Sequence, residues 1–284
     1  MNGKFFILKI SFLILLCFMP GGCGSPDKEA GGSPRSIAVT TSYLECAARD
    51  LAGNDIAFVR LVPPGMCPGH FDIAPGIVKS LKKSSLVLRF DFQDSLDEKL
   101  RSLVGKDFPI KAIPAPEGLC VPESYRMCVQ ELHKEFCIRF PDKEGEFDQA
   151  MNRINQALEA LEKECRTRIR ENNLEAEKVI VSGHQEVFCK WLGLDVAASY
   201  SGANATSPRQ LLDIIEKGRD SNVRYVIANL QEGSQEGEAL AKHLGAKMVT
   251  FSNFPSMGKG QESFYDLVRW NLENLIRAGK EKQP

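Results

Sequence analysis

The chain predicts an α/β protein of two lobes, each a mostly parallel sheet wrapped by helices, with one long helix joining them. Three observations carry this reading. Short apolar runs alternate with helical patterns over residues 37–113, and the same alternation resumes over 179–278. Such alternation with short connections is what parallel strands with helical crossovers produce. Between the two series, residues 144–172 place Phe147, Met151, Ile154, Leu158, Leu161, Cys165 and Ile169 at intervals of three and four. One continuous helix face has that period, and a helix of this length spans roughly 40 Å at 1.5 Å per residue.

In chain order, the expected strands of the first lobe are 37–41, 56–62, 86–90 and 110–113, with helices at 43–51, 76–82 and 94–104. A Pro- and Cys-rich passage follows and leads into the long helix. The second lobe is expected to hold strands at 179–182, 196–199, 225–230 and 248–251, separated by helices at 185–192, 208–219, 235–244 and 261–278. Ser207 before Pro208 is a helix start, because a hydroxyl caps the first turn and proline suits the first helical position. The expected organisation is therefore a signal peptide over 1–22, a tether over 23–36, an N-terminal lobe over 37–143, a linking helix over 144–173 and a C-terminal lobe over 174–284.

The N-terminus sets the expected compartment. Lys4 precedes an apolar stretch over 5–19 that is too short for a membrane span and has the form of an export signal. It ends in Pro20-Gly21-Gly22-Cys23, and a cysteine after two small residues at the end of a signal resembles a bacterial lipoprotein processing site, with Cys23 as the acylated residue. Pro20 departs from the aliphatic residue usual at that position. Residues 24–36 hold Gly, Ser, Pro and charge with no apolar period, the composition of a tether.

Thirty-seven acidic and 36 basic side chains nearly cancel, so no broad basic surface points to nucleic acid. Beyond the leader and Cys23 the cysteines are Cys46, Cys67, Cys120, Cys128, Cys137, Cys165 and Cys189. An odd number leaves at least one thiol free or on a ligand, and Cys120, Cys128 and Cys137 lie close enough along the chain to suggest a local disulfide. Enzyme signatures are absent: there is no Gly-x-Ser-x-Gly elbow, phosphate loop or His-Glu-x-x-His pair. A thiol nucleophile at Cys67 would lack an orienting third group.

The candidate chemistry lies in Pro63-Pro64-Gly65-Met66-Cys67-Pro68-Gly69-His70-Phe71-Asp72-Ile73-Ala74-Pro75, directly after an expected strand. It sets a thiol and an imidazole three residues apart in a loop whose backbone the prolines and glycines control. Sulfur and imidazole nitrogen suit zinc or copper better than manganese, which prefers oxygen. Asp72 is placed to accept the His70 N–H or to cap the helix that follows. The Ser182-Gly183-His184, Asn229-Leu230-Gln231 and Ser252-Asn253-Phe254-Pro255 turns fall at the same carboxyl end of their strands, where open parallel sheets bind ligands. The alternatives are structural: His70 bonded to its own turn, His184 capping a helix, and Cys189 in the core.

An exported chain of two such lobes joined by one long helix resembles the zinc- and manganese-type substrate-binding lipoproteins of ABC importers, as a divergent member. Pro63-Pro64-Gly65 with His70 is similar to that family's first ligand loop, and Ser182-Gly183-His184 ahead of Phe188 and Leu192-Gly193-Leu194 to its second-lobe histidine. Residues 239–247 and 265–273 resemble its C-terminal helices. The resemblance implies a non-enzymatic, monomeric protein that captures a transition-metal ion in the interlobe cleft and delivers it to a permease, lipid-anchored outside the cytoplasmic membrane. The donor chemistry makes Zn2+ the expected ion, held by Cys67, His70 and His184, with His133, water or an Asn side chain completing the shell. Aligned without a gap, the family's first ligand histidine falls on Gly69, so His70 serves through a one-residue shift. The family's later carboxylates correspond to Asn229 and to Ser252 or Asn253. The alternative is the same fold binding an organic or metal-chelate ligand such as a corrin or haem. A structural or adhesin-like lipoprotein without a ligand is the third reading.

Overall fold

Ile37, Ala38 and Val39 form the first strand, β1 (Ile37–Val39), and all three are fully buried because the strand is sandwiched on both faces and paired on both edges. This spine belongs to a computed structural model that describes residues 36–63, 73–202, 206–256 and 260–280. The expectations for the leader, Cys23, Cys67, His70 and Asp72 lie outside the described residues.

The chain rises from β1 into α1 (Ser42–Ala52) and on through β2 (Phe58–Arg60), α2 (Pro75–Leu81), β3 (Leu86–Phe90), α3 (Leu96–Val104) and β4 (Ile110–Ile113). The strands pair in parallel in the order β2-β1-β3-β4. β1 stops at Val39, short of the expected Thr41, because the Thr41 hydroxyl accepts from Leu44 N at 3.1 Å and caps α1. Arg89 is buried in β3, where its guanidinium donates to Asp97 Oδ2 at 2.8 Å and to the Phe90 carbonyl at 2.9 Å.

The Pro- and Cys-rich passage folds into a full helix, α4 (Pro122–Arg139), with Pro122 in its first turn. The local disulfide expected here does not form: Cys120, Cys128 and Cys137 are all free thiols. Cys128 and Cys137 lie nine residues apart on one helix, about 13 Å along its axis, well beyond disulfide reach. Cys120 instead donates its S–H to the Ser252 carbonyl at 3.1 Å.

The long helix is present as α5 (Glu144–Glu171), 28 residues with Phe147, Ile154, Leu158, Leu161, Cys165 and Ile169 buried along one face. It is followed by β5 (Lys178–Ser182), α6 (Glu186–Trp191), β6 (Asp195–Tyr200), α7 (Pro208–Ser221), β7 (Tyr225–Asn229), α8 (Gln235–Leu244), β8 (Lys247–Phe251) and α9 (Phe264–Lys280). This second sheet is also wholly parallel, in the order β6-β5-β7-β8. α7 starts where expected, with Ser207 N donating to Gln210 Oε1 at 2.9 Å in a capping box. α9 starts three residues later than the periodicity suggested, because Gln261 is held in a bridge to Ser256.

One apolar core runs through both sheets. At its centre Tyr125 of α4 stacks on Phe264 of α9 at 4.0 Å between ring centroids, and Tyr43 of α1 meets both rings edge-on. Such a shared core is a poor hinge compared with strand-like connections. Tyr125 also donates its O–H to Asp50 Oδ2 at 2.7 Å. Burial raises the Asp50 carboxyl above its ordinary 3.8, the Tyr125 hydrogen bond offsetting part of the rise. A raised carboxyl favours the folded state fully below the unfolded value, and that contribution is lost as pH rises through the folded value. Asp50→Asn keeps an acceptor for Tyr125 and removes the titration. Its stability relative to the native chain should therefore climb as pH rises from the ordinary carboxyl value through the raised folded one, as measured by urea unfolding at several pH values; a flat difference would show that Asp50 is not desolvated.

Candidate functional site

In open parallel sheets the ligand crevice lies beyond the carboxyl ends of strands at the point where strand order reverses. In the second sheet that point is between β5 and β7, and it is followed by the turns carrying His184 and Glu232. A cleft of about 500 Å³ opens there. Phe92, Glu117, Gly118 and Leu119 line it from the first lobe, and His184, Val187, Gln231, Glu232, Asn253 and Phe254 from the second.

His184 sits in a single 3-10 turn, Gly183–Gln185, between β5 and α6, with its side chain 67% exposed. Its Nε2 lies 3.5 Å from Glu232 Oε1, a carboxylate only 20% exposed. The other Glu232 oxygen accepts from the Ser182 hydroxyl at the end of β5. The imidazole is thus presented to the cleft with an acid beside it.

The floor beneath is built of neutral amides, with Gln185 Oε1 the one buried atom of this group left without a hydrogen-bond partner among the described residues. Buried Gln185 donates its Nε2 to Asn229 Oδ1 at 3.2 Å and to Asn253 Oδ1 at 3.0 Å, so both asparagine oxygens are engaged. Asn253 N donates to Gln231 Oε1 at 3.0 Å, and Gln231 Nε2 to Ser252 Oγ at 2.9 Å. Neutral amides already committed to one another are weak ligands for hard divalent ions, which favour carboxylate oxygen. Cys120, under this floor, is no donor either: burial pushes its thiol well up and its S–H is given to a carbonyl.

Of the residues expected at the site, the structure brings His184 to the cleft. His133 is elsewhere: it sits on α4 with Nε2 2.8 Å from Asp148 Oδ1 of α5, in a separate surface depression with Lys134 and Met151. That removes it as a completing ligand. Cys189 is fully buried in the core, as expected. Among the described residues no group of three or more His, Cys, Asp or Glu converges to hold a metal ion. Sequence reasoning missed Glu117, the Gln185 network and above all Glu232. The available signal was positional: Glu232 follows β7 at the same sheet end as His184, one residue beyond the turn that was singled out.

Residues 121–278, more than half of the chain, match the family described as ZnuA, zinc-uptake complex component A periplasmic. The chain belongs to this family. It is a substrate-binding protein of the metal ABC-transporter class and not an enzyme. Among curated relatives it is similar to the manganese ABC transporter substrate-binding lipoprotein PsaA of Streptococcus mitis, 19% identical over 309 residues, covering 97% of this chain and 98% of the relative. It is likewise similar to the manganese ABC transporter substrate-binding lipoprotein scaA of Streptococcus gordonii, at 21% identity over 94% of this chain and 97% of that one. Two solved structures share the fold. The Mn-bound periplasmic metal binding protein from Candidatus Liberibacter asiaticus superposes with a TM-score of 0.71 at 13% identity, covering 86% of this chain and 99% of that one. The crystal structure of ZnuA does so with 0.71 at 16%, covering 87% and 100%.

Proposed function

We propose that this protein captures a zinc ion in the interlobe cleft outside the cytoplasmic membrane and delivers it to the permease of an ABC importer. The observation that carries the reading is His184, an exposed imidazole at the reversal point of the second sheet, set over a floor whose Asn229 and Asn253 oxygens are already hydrogen-bonded. An imidazole joined by the thiol and imidazole expected at Cys67 and His70 favours zinc over manganese. Cys67 and His70 are the further ligands of this reading, placed by sequence alone. The family name and the relatives' names, which speak of zinc and manganese, support metal cargo in general.

The deciding experiment is elemental analysis of the purified protein after exposure to a mixture of divalent metals and Cu(I) under reducing conditions. One zinc per chain is the expected result. No bound metal would end the reading.

A second reading has its own observation. Phe92, Leu119, Val187 and Phe254 give the cleft an apolar wall, and about 500 Å³ is the size of pocket that takes an organic molecule. On this reading the cargo is an organic or metal-chelate ligand such as a corrin or haem, and a chromophore copurifies with the protein.

Capture must feed a permease at the membrane surface, and Cys23 is the proposed acylated anchor. Among the described residues no helix is long and apolar enough to cross a membrane. Cys23→Ser is expected to move the protein from the membrane fraction to the soluble one. A variant that stays membrane-bound, together with a native protein that carries no lipid, would overturn the anchor. The working unit is proposed to be a monomer.

A further inference from the structure

Two ligands on one zinc ion are separated by a distance that geometry sets. With Zn–N and Zn–O bonds of about 2.0–2.2 Å and a tetrahedral angle, the donor atoms lie about 3.3–3.5 Å apart. His184 Nε2 and Glu232 Oε1 stand 3.5 Å apart, and both line the cleft. We infer that Glu232 is a direct metal ligand, so that His184 and Glu232 form a preset half-site contributed by the second lobe.

Two further features hold Glu232 for this role. The Ser182 hydroxyl donates to the carboxylate oxygen that does not face His184, which fixes the carboxylate's rotation and leaves Oε1 for the ion. Outer partners of this kind orient metal ligands. Gly202 leaves room for the side chain: a Cβ there would stand 2.7 Å from Glu232 Cβ and 2.9 Å from its Cδ. Any larger residue at 202 would push Glu232 out of line with His184. Ser182, Gly202 and Glu232 come from the ends of three neighbouring strands, so the half-site is assembled by the β6-β5-β7 order and not by any local motif.

The inference also accounts for the amide floor. Asn229 and Asn253 need not supply charge, because one carboxylate reaches the ion from the turn after β7. A single anionic oxygen beside imidazole nitrogen is a borderline donor set, suited to zinc.

This inference rests on the reading of the cleft as a metal site, and the test separates the two. Zinc affinity is measured by competition with a chromophoric chelator for the native protein, Glu232→Gln and Glu232→Asp, with thermal unfolding of each in the metal-free state. The expected result is a loss of ten-fold or more for Glu232→Gln, a smaller loss for Glu232→Asp, and unchanged metal-free midpoints. Zinc X-ray absorption on the native protein should show a carboxylate oxygen in the shell, which keeps the idea testable even if a variant misfolds. Tight native binding with Glu232→Gln within two-fold of it, or a shell without oxygen, would overturn Glu232 as a ligand and leave the cleft reading standing. A native protein that binds no zinc would overturn both.

Discussion

His184→Ala is expected to weaken zinc binding by ten-fold or more while leaving the fold in place. The imidazole is mostly exposed and, among the described residues, its polar contact is with Glu232, so its removal takes a donor from the cleft without opening the core. Surface truncations of this kind stay within about 0.5 kcal/mol of native stability, far less than the cost of a lost metal ligand. Cys67→Ser should cause a comparable loss of zinc, since a hydroxyl is a much poorer ligand than a thiolate for a borderline ion. The measurement is zinc content and competition affinity for the native protein and both variants. Equal metal content in all three would place the ion away from these residues.

Gly118→Ala is expected to destabilise the protein and to disturb the cleft at the same time. Gly118 adopts φ +65°, a left-handed conformation, and a Cβ there would lie 2.6 Å from Val187 Cγ1 and 2.9 Å from Val187 Cβ. The residue lies on the first-lobe wall of the cleft, and Val187 belongs to α6 of the second lobe. The left-handed backbone costs about 1–2 kcal/mol and the overpacking about 1–3 kcal/mol, so a total loss of about 2–5 kcal/mol is expected. Urea unfolding at unchanged slope would report it as a lower midpoint. Adding Val187→Ala removes the closest contact but leaves the Cβ and the backbone strain, so it should restore only part of the stability. Full restoration would mean that the backbone tolerates alanine at 118; no loss in the single variant would mean that the two lobes separate easily at this contact.

Much of the architecture could be read from the residues in order. The strand-helix alternation and the three- and four-residue period of Phe147 through Ile169 are local, so they report parallel sheets and the long α5 directly. α4 was less legible. It packs against both α1 and α5, so its apolar residues are spread around the helix and no single stripe shows. Its cysteines invited a disulfide because their spacing along the chain is short, whereas along a helix axis Cys128 and Cys137 are far apart.

The site divides in the same way. His184 was identifiable because it follows an apolar strand directly, and position relative to a strand end is a property of sequence. Its pairing with Glu232 was not, since two helices and two strands, α6, β6, α7 and β7, separate the two. They meet because β5 and β7 are neighbours in the sheet while β6 lies on the outer edge. Gln185 likewise reaches Asn253 across 68 positions. Local periodicity determines which segments are strands and helices, and so the fold class. Which side chains share a cleft depends on strand order and on the packing of one lobe against the other, both set by long-range burial that no local pattern encodes.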